Sequence, residues 1–134
     1  MNGTTTRTQG TKANKSGSTA ENVIASVLSS YGIRFERQKY IGLSIYEHDL
    51  RADFYLPDRN LIIESKWQDV TGSADEKLPY LVANIRERYP YPALLVLGGV
   101  GWKRGAVKWV RRQIDAKLVG VMGVEEFMKW AGKL

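Results

Sequence analysis

The stretch RADFYLPDRNLIIESKWQ, Arg51 to Gln68, governs the reading of the fold, because charge interrupts two runs that otherwise ask for burial. Asp53 precedes Phe54-Tyr-Leu56, while Glu64 and Lys66 follow Leu61-Ile-Ile63 at alternating positions. Between the runs, Pro57-Asp-Arg-Asn60 carries residues suited to a tight turn. Two strands, Ala52 to Leu56 and Leu61 to Trp67, are therefore expected to form a hairpin. A turn centred between Asp58 and Arg59 sets Asp53 directly opposite Glu64. Opposed residues share a face, with Cβ atoms roughly 4.5–5.5 Å apart. Side chains alternate along a strand, so Lys66 and Gln68 join Glu64 on that face. Asp58 sits at the tip, five residues and roughly 16 Å of extended chain from Asp53. Turn chemistry alone accounts for Asp58, and the aspartate placed to act with Glu64 is Asp53.

Two facing carboxylates repel, which raises the pKa of one of them unless a positive charge intervenes. A Mg²⁺ ion held by Asp53, Glu64 and the Ser65 backbone carbonyl relieves that repulsion. Mg²⁺ takes one or two protein carboxylates and keeps several waters, which matches this donor set. Water activated by such an ion attacks a phosphodiester. Lys66 is then placed to orient or deprotonate the water, or to neutralise the transition state. A cross-strand salt bridge of Lys66 with Asp53 or Glu64 explains the same residues without chemistry, and is worth roughly 0–1 kcal/mol when exposed. The flanking apolar residues speak against a simply exposed pair.

Working outward, residues 1–17 lack apolar periodicity and are expected to form a disordered basic arm ahead of one domain, 18–134. Ser18-Thr-Ala-Glu21 fits a capping box, so a helix is expected to begin at Ser18. Val23, Ile24, Val27 and Leu28 form its stripe, and Gly32 ends it. Ile33 to Ile41 reads as a strand, and His48 falls in the polar connection that follows. After the hairpin come a helix from about Asp75–Leu78 to Arg88, a buried strand Ala93 to Leu97, and a helix over 103–117. A strand Leu118 to Met122 and a helix Val124 to Trp130 close the chain. Helices interleaved with strands in this order predict an α/β fold with a central mixed sheet.

Chain length suits a single core: 134 residues, 43% of them hydrophobic. No apolar run approaches a membrane span, and the N-terminus lacks the apolar core of an export signal, so the expected location is the cytoplasm. The chain has no cysteine and one histidine, which excludes disulfides, thiolate metal sites and histidine clusters. Ser-His-Asp chemistry is open only through His48, so any catalysis is expected to rest mainly on carboxylates, lysine and a hard metal ion.

The net charge of +6 is unevenly distributed. Residues 20–101 hold nine bases and eleven acids, whereas residues 102–118 hold six bases against Asp115 alone. Clustering of this kind points to a polyanion partner, of which nucleic acid is the simplest. Lys103, Arg104, Lys108, Arg111 and Arg112 are the expected DNA contacts, with Gln68 a further candidate on the carboxylate face. Gly98-Gly-Val-Gly101 is not a complete phosphate-binding loop, since no Gly-Lys-Ser/Thr follows.

Asp53 followed by Glu64-Ser-Lys66 resembles the active-site motif of the PD-(D/E)XK nuclease superfamily, with Ala52 in place of its usual proline. A helix bearing Glu21, then YGIRFERQKY, ADFYLP and IIESK, extends the likeness over about residues 17–68. That order is similar to the junction-resolving endonucleases of bacteriophages. The resemblance implies a restriction-endonuclease-like core and a Mg²⁺-dependent DNA endonuclease, with Mn²⁺ able to substitute. It puts the catalytic roles on Glu21, Asp53, Glu64 and Lys66, with Glu21 a further candidate metal ligand. Glu21 can equally serve the capping box. Branched DNA as substrate implies a homodimer, since two strands must be cut, and in the phage case the host cytoplasm as its place of action. A small restriction or nicking endonuclease is the alternative enzyme. A nucleic-acid-binding subunit that keeps the fold without cutting is the alternative of another class.

Overall fold

A computed structural model describes residues 8–134, with side chains from residue 19 onward. The elements in chain order are α1 (Thr8–Ser30), β1 (Glu36–Leu43), β2 (Asp49–Leu56), β3 (Leu61–Trp67), α2 (Leu78–Glu87), β4 (Ala93–Gly98), α3 (Arg104–Arg111), β5 (Leu118–Gly123) and α4 (Val124–Gly132). The five strands form one sheet in the order β1-β2-β3-β4-β5. β1, β2 and β3 are antiparallel neighbours, and β3, β4 and β5 run parallel. The expected α/β class, mixed sheet and element order are all present.

Helices cover both faces. α2 and α3 lie over a core that includes Ile62, Leu95, Leu78, Ile85 and Val110. α1 and α4 cover the other face, around Phe54, Ile63, Val96, Ile24, Leu28 and Phe127. β4, sandwiched between parallel neighbours, is buried at every position, which is why ALLVLG is an unbroken apolar run. Phe54 and Phe127 are fully buried; removing a side chain of this size from water contributes about 1.5–3 kcal/mol.

Two expected boundaries are corrected. α1 already runs from Thr8, so Ser18 lies within the helix and is not its N-cap, and residues 8–17 are helical rather than a disordered arm. Residues 1–7 of the expected arm lie outside the described residues. α3 ends at Arg111, not near 117. The reason is Asp115, whose Oδ1 accepts the amides of Lys117 and Leu118 at 2.8 Å each, and whose Oδ2 meets Arg86 at 3.0 Å. These bonds turn the chain into β5, leaving Ile114 exposed and Leu118 buried in the sheet.

Candidate active site

The hairpin has the expected register. Phe54 pairs with Ile63, Tyr55 with Ile62 and Leu56 with Leu61. The same register carried one step further sets Asp53 against Glu64, but there the ladder stops. Carboxylates take over from backbone carbonyls: Ser65 N–H donates to Asp53 Oδ2 at 2.8 Å, and Asp53 N–H approaches Glu64 Oε1 at 3.4 Å. Where β2 and β3 part, a cleft of about 290 Å³ opens, walled by Asp53, Glu64 and Lys66 from the strands and by Lys77, Tyr80 and Tyr89 from the segment 77–89.

Glu64 is only 3% exposed. Burial, and then the neighbouring charge of Asp53, push its carboxyl up to about 8; a hydrogen bond from Tyr89 and the charge of Lys66 oppose the rise. Tyr89 Oη donates to Glu64 Oε2 at 2.6 Å, and the Tyr89 hydroxyl is itself held well above its ordinary range by burial and by Glu64. No ion pair among the described residues involves Asp53, Glu64 or Lys66. The cross-strand salt bridge is therefore not how these charges are balanced. Two acids close together in one cleft, with Lys66 nearby but ion-paired to neither, suit a hard divalent cation. Among the described residues no three acids or histidines converge into a full cage. The two carboxylates that the cleft does bring together, Asp53 and Glu64, match the one or two protein carboxylates that Mg²⁺ takes alongside water.

Glu21 sits inside α1, too far along to cap it. It reaches β1 instead, within 3.4 Å of Arg37 and 3.3 Å of Gln38. The Gln38 amide nitrogen lies 3.5 Å from Asp53 Oδ1 as well, so it stands between the two acids. Gln38 has φ +52°, a conformation disfavoured for any residue with a side chain. Replacing it separates backbone strain from function. Gln38→Gly should melt at the same temperature as wild type or higher, because glycine adopts this φ freely. Its turnover should fall about 10- to 100-fold, as when a residue that orients a ligand is lost. Full turnover of Gln38→Gly in a nuclease assay would remove Gln38 from the site.

Asp58 lies in the turn and pairs with Arg34 at 2.7 Å, which holds its carboxyl below the ordinary range. Gln68 is buried, and its side chain ties loops together. Its amide nitrogen donates to Asp75 (3.1 Å) and Gly101 O (3.0 Å), and its amide oxygen accepts from Ala74 N–H (2.9 Å). Asp75 in turn accepts Lys103 N–H at 3.0 Å, joining the end of β3 to the start of α3. Gly98 lies against the Trp67 ring, where an added Cβ would sit 2.0 Å from a ring carbon, and Gly99 has φ +85°. Close packing explains these glycines. Lys103, Arg104, Lys108, Arg111 and Arg112 are all exposed, with Arg111 within 3.5 Å of Glu126. His48 is exposed in the β1–β2 turn.

Sequence reasoning missed Gln38 and Tyr89. The one sequence signal for Tyr89 is an aromatic at the end of the Leu78–Ile85 stripe, which reads as core.

A profile of the PD-(D/E)XK nuclease superfamily domain matches residues 12–134. The chain belongs to the PD-(D/E)XK nuclease superfamily. A search of curated proteins finds no match. The family match extends through the last third of the chain, beyond the motif region of residues 17–68, so α3, β5 and α4 belong to the nuclease domain. As a PD-(D/E)XK nuclease domain, it takes DNA as its implied substrate. No described helix is long and apolar enough to cross a membrane.

Proposed function

We propose that this nuclease is a Mg²⁺-dependent endodeoxyribonuclease that selects branched DNA, acting as a homodimer. The observation that carries the metal-dependent reading is the pair of buried Glu64 and half-buried Asp53 at the open end of the hairpin, with Lys66 in the same cleft and no ion pair to either acid among the described residues. Asp53, Glu64 and the Ser65 carbonyl would hold the ion, with Mn²⁺ able to replace Mg²⁺. When bound, the ion supplies positive charge at the scissile phosphate. Tyr89 fixes the Glu64 carboxylate, and Gln38 keeps Glu21 beside Asp53. Lys66 sits in the same cleft with its amine free to meet the phosphate or the attacking water. Water oxygen bonds to phosphorus, the phosphorus–oxygen bond to the leaving nucleoside breaks, and that oxygen takes up a proton.

The exposed bases of α3 and its approach, Lys103 to Arg112, hold the phosphate backbone without reading sequence. Nothing else among the described residues resembles a base-reading module, which favours selection by DNA shape. Cutting both strands of a junction needs two such sites, hence the dimer.

The test is cleavage of four-way junction, linear duplex and single-stranded DNA by the purified chain, with Mg²⁺, Mn²⁺ or EDTA. Junction cleavage that requires a divalent ion and is lost in Glu64→Ala supports the proposal. Cutting of linear duplex at one fixed sequence would make it a restriction-type enzyme. Tight DNA binding with no cleavage under either metal would leave a non-cutting DNA-binding subunit.

A further inference from the structure

The rim of the acid cleft carries an aromatic feature that phosphodiester hydrolysis does not require. Tyr46, in the β1–β2 turn, is 68% exposed. Its ring stacks on that of Tyr80 from α2, with centroids 5.3 Å apart and planes 25° off parallel. Tyr80 also lines the cleft that holds Asp53 and Glu64.

The turn that presents Tyr46 is built rather than loose. Ser44 is fully buried, and its Oγ accepts the Tyr46 and His48 amides at 3.1 Å each. Ser44 N–H donates to His48 O at 2.7 Å, closing the turn. Ile45 N–H donates to Oδ1 of the buried Asn84 at 2.8 Å. Asn84 and Tyr80 are four residues apart on α2, hence on one face of it. One helix thus fixes both the turn and the lower ring of the stack. The Tyr46 ring is thus held in place on Tyr80 while most of it stays exposed to solvent.

Charge around the pair limits what can cover it. Arg51, whose guanidinium lies over the Tyr40 ring, and Lys77 line the same cleft and are exposed, so a phosphate chain entering it meets cations from β2 and from the start of α2. A flat, uncharged π-surface beside a phosphate path is how single-stranded nucleic acid is gripped, because every base offers a stacking face. A base inside a duplex is already stacked on both sides and cannot use it.

We infer that Tyr46 and Tyr80 form a stacking subsite for an unpaired nucleobase of the strand whose phosphate enters the Asp53–Glu64 cleft. The inference rests on the nuclease reading of that cleft. It supplies the basis of substrate choice: DNA with a base released from its helix, as at a branch, bulge or flap, gains a contact that perfect duplex lacks.

Binding separates this claim from cleavage. Full-length protein is titrated, with Ca²⁺ in place of Mg²⁺, into two DNAs of the same sequence, one fully paired and one with an unpaired 2-aminopurine. Wild type and Tyr46→Phe should prefer the unpaired DNA by about tenfold, as expected for one aromatic–base stack, and should quench the 2-aminopurine. Tyr46→Ala, and Tyr46→Leu as a variant that still covers Tyr80, should bring the ratio near one and lose the quenching, with unchanged melting temperatures. A wild-type ratio near one, or a preference that survives in both Tyr46→Ala and Tyr46→Leu, overturns the subsite. Failure of the nuclease reading shows elsewhere, as absence of cleavage by wild type with Mg²⁺ and Mn²⁺.

Discussion

Asp53→Ala should lower DNA cleavage by at least about 100- to 1,000-fold, the scale of losing one preorganised charge contact with a transition state, while Asp58→Ala stays within about twofold of wild type. Both residues are aspartates on the same hairpin, one in strand β2 and one in the turn, and their neighbours decide the difference. Asp53 faces the cleft, takes the Ser65 amide at 2.8 Å, and has no basic partner among the described residues. Asp58 is spent on Arg34 at the exposed tip. Removing it costs a solvent-screened pair of little consequence for stability, so the melting temperature of Asp58→Ala should hardly move. Asp53→Asn is the sharper partner variant, because it keeps an acceptor for the Ser65 amide while losing the charge. If Asp53→Asn folds and cuts normally, the charge is not needed. If Asp58→Ala loses as much activity as Asp53→Ala, the cleft is not where the reaction takes place.

What makes this pair legible is local. Pro57-Asp-Arg-Asn60 fixes where the chain reverses, and alternation then assigns every side chain a face, so the register from Phe54–Ile63 to Leu56–Leu61 follows from the turn alone. Period-two and helical stripes likewise carry the order of strands and helices. The features that sequence misreads depend on partners far along the chain. Alternation leaves Gln68 free on the carboxylate face, yet its amide is consumed by Asp75 and Gly101, the latter 33 residues away. Glu21 resembles a cap because a capping box is a four-residue pattern; only the fold shows it reaching Gln38 on β1. Apolar spacing overextends α3 because it continues through Ile114 and Leu118, and no periodicity reveals that Asp115 captures two following amides. Tyr89 is hidden for the opposite reason. Buried tyrosines are common, and a hydroxyl finding a carboxylate 25 residues back in sequence leaves no local mark.

Metal-free protein should lose stability steadily as pH rises from about 4.5 to about 8, and Glu64→Gln should abolish that slope while abolishing cleavage. An unfolded glutamate titrates near the ordinary value of 4.5, whereas folded Glu64 titrates at about 8. Between those values the native state carries a proton on Glu64 that the unfolded chain has lost. Stability therefore falls with rising pH, by at most about 1.4 kcal/mol per pH unit, and levels off above the folded value. The contribution is full below 4.5, opposite to that of an acid paired with a base. The amide introduced by Glu64→Gln keeps the shape and an acceptor for the Tyr89 hydroxyl but never ionises. The difference between wild type and Glu64→Gln thus isolates this one group from every other titration. A divalent cation reverses the slope's effect, since an ion that binds the ionised pair stabilises the folded state in proportion to its occupancy. Mg²⁺ should raise the wild-type melting temperature more at about pH 8.5 than at about pH 5.5, on either side of most of the Glu64 titration, and should do little for Glu64→Gln. The measurements are urea or thermal unfolding across about pH 4.5–9, in EDTA and in Mg²⁺. Parallel curves for the two proteins in EDTA would mean that Glu64 is ionised throughout and already balanced. Equal stabilisation of both by Mg²⁺ would place the ion somewhere other than between Asp53 and Glu64.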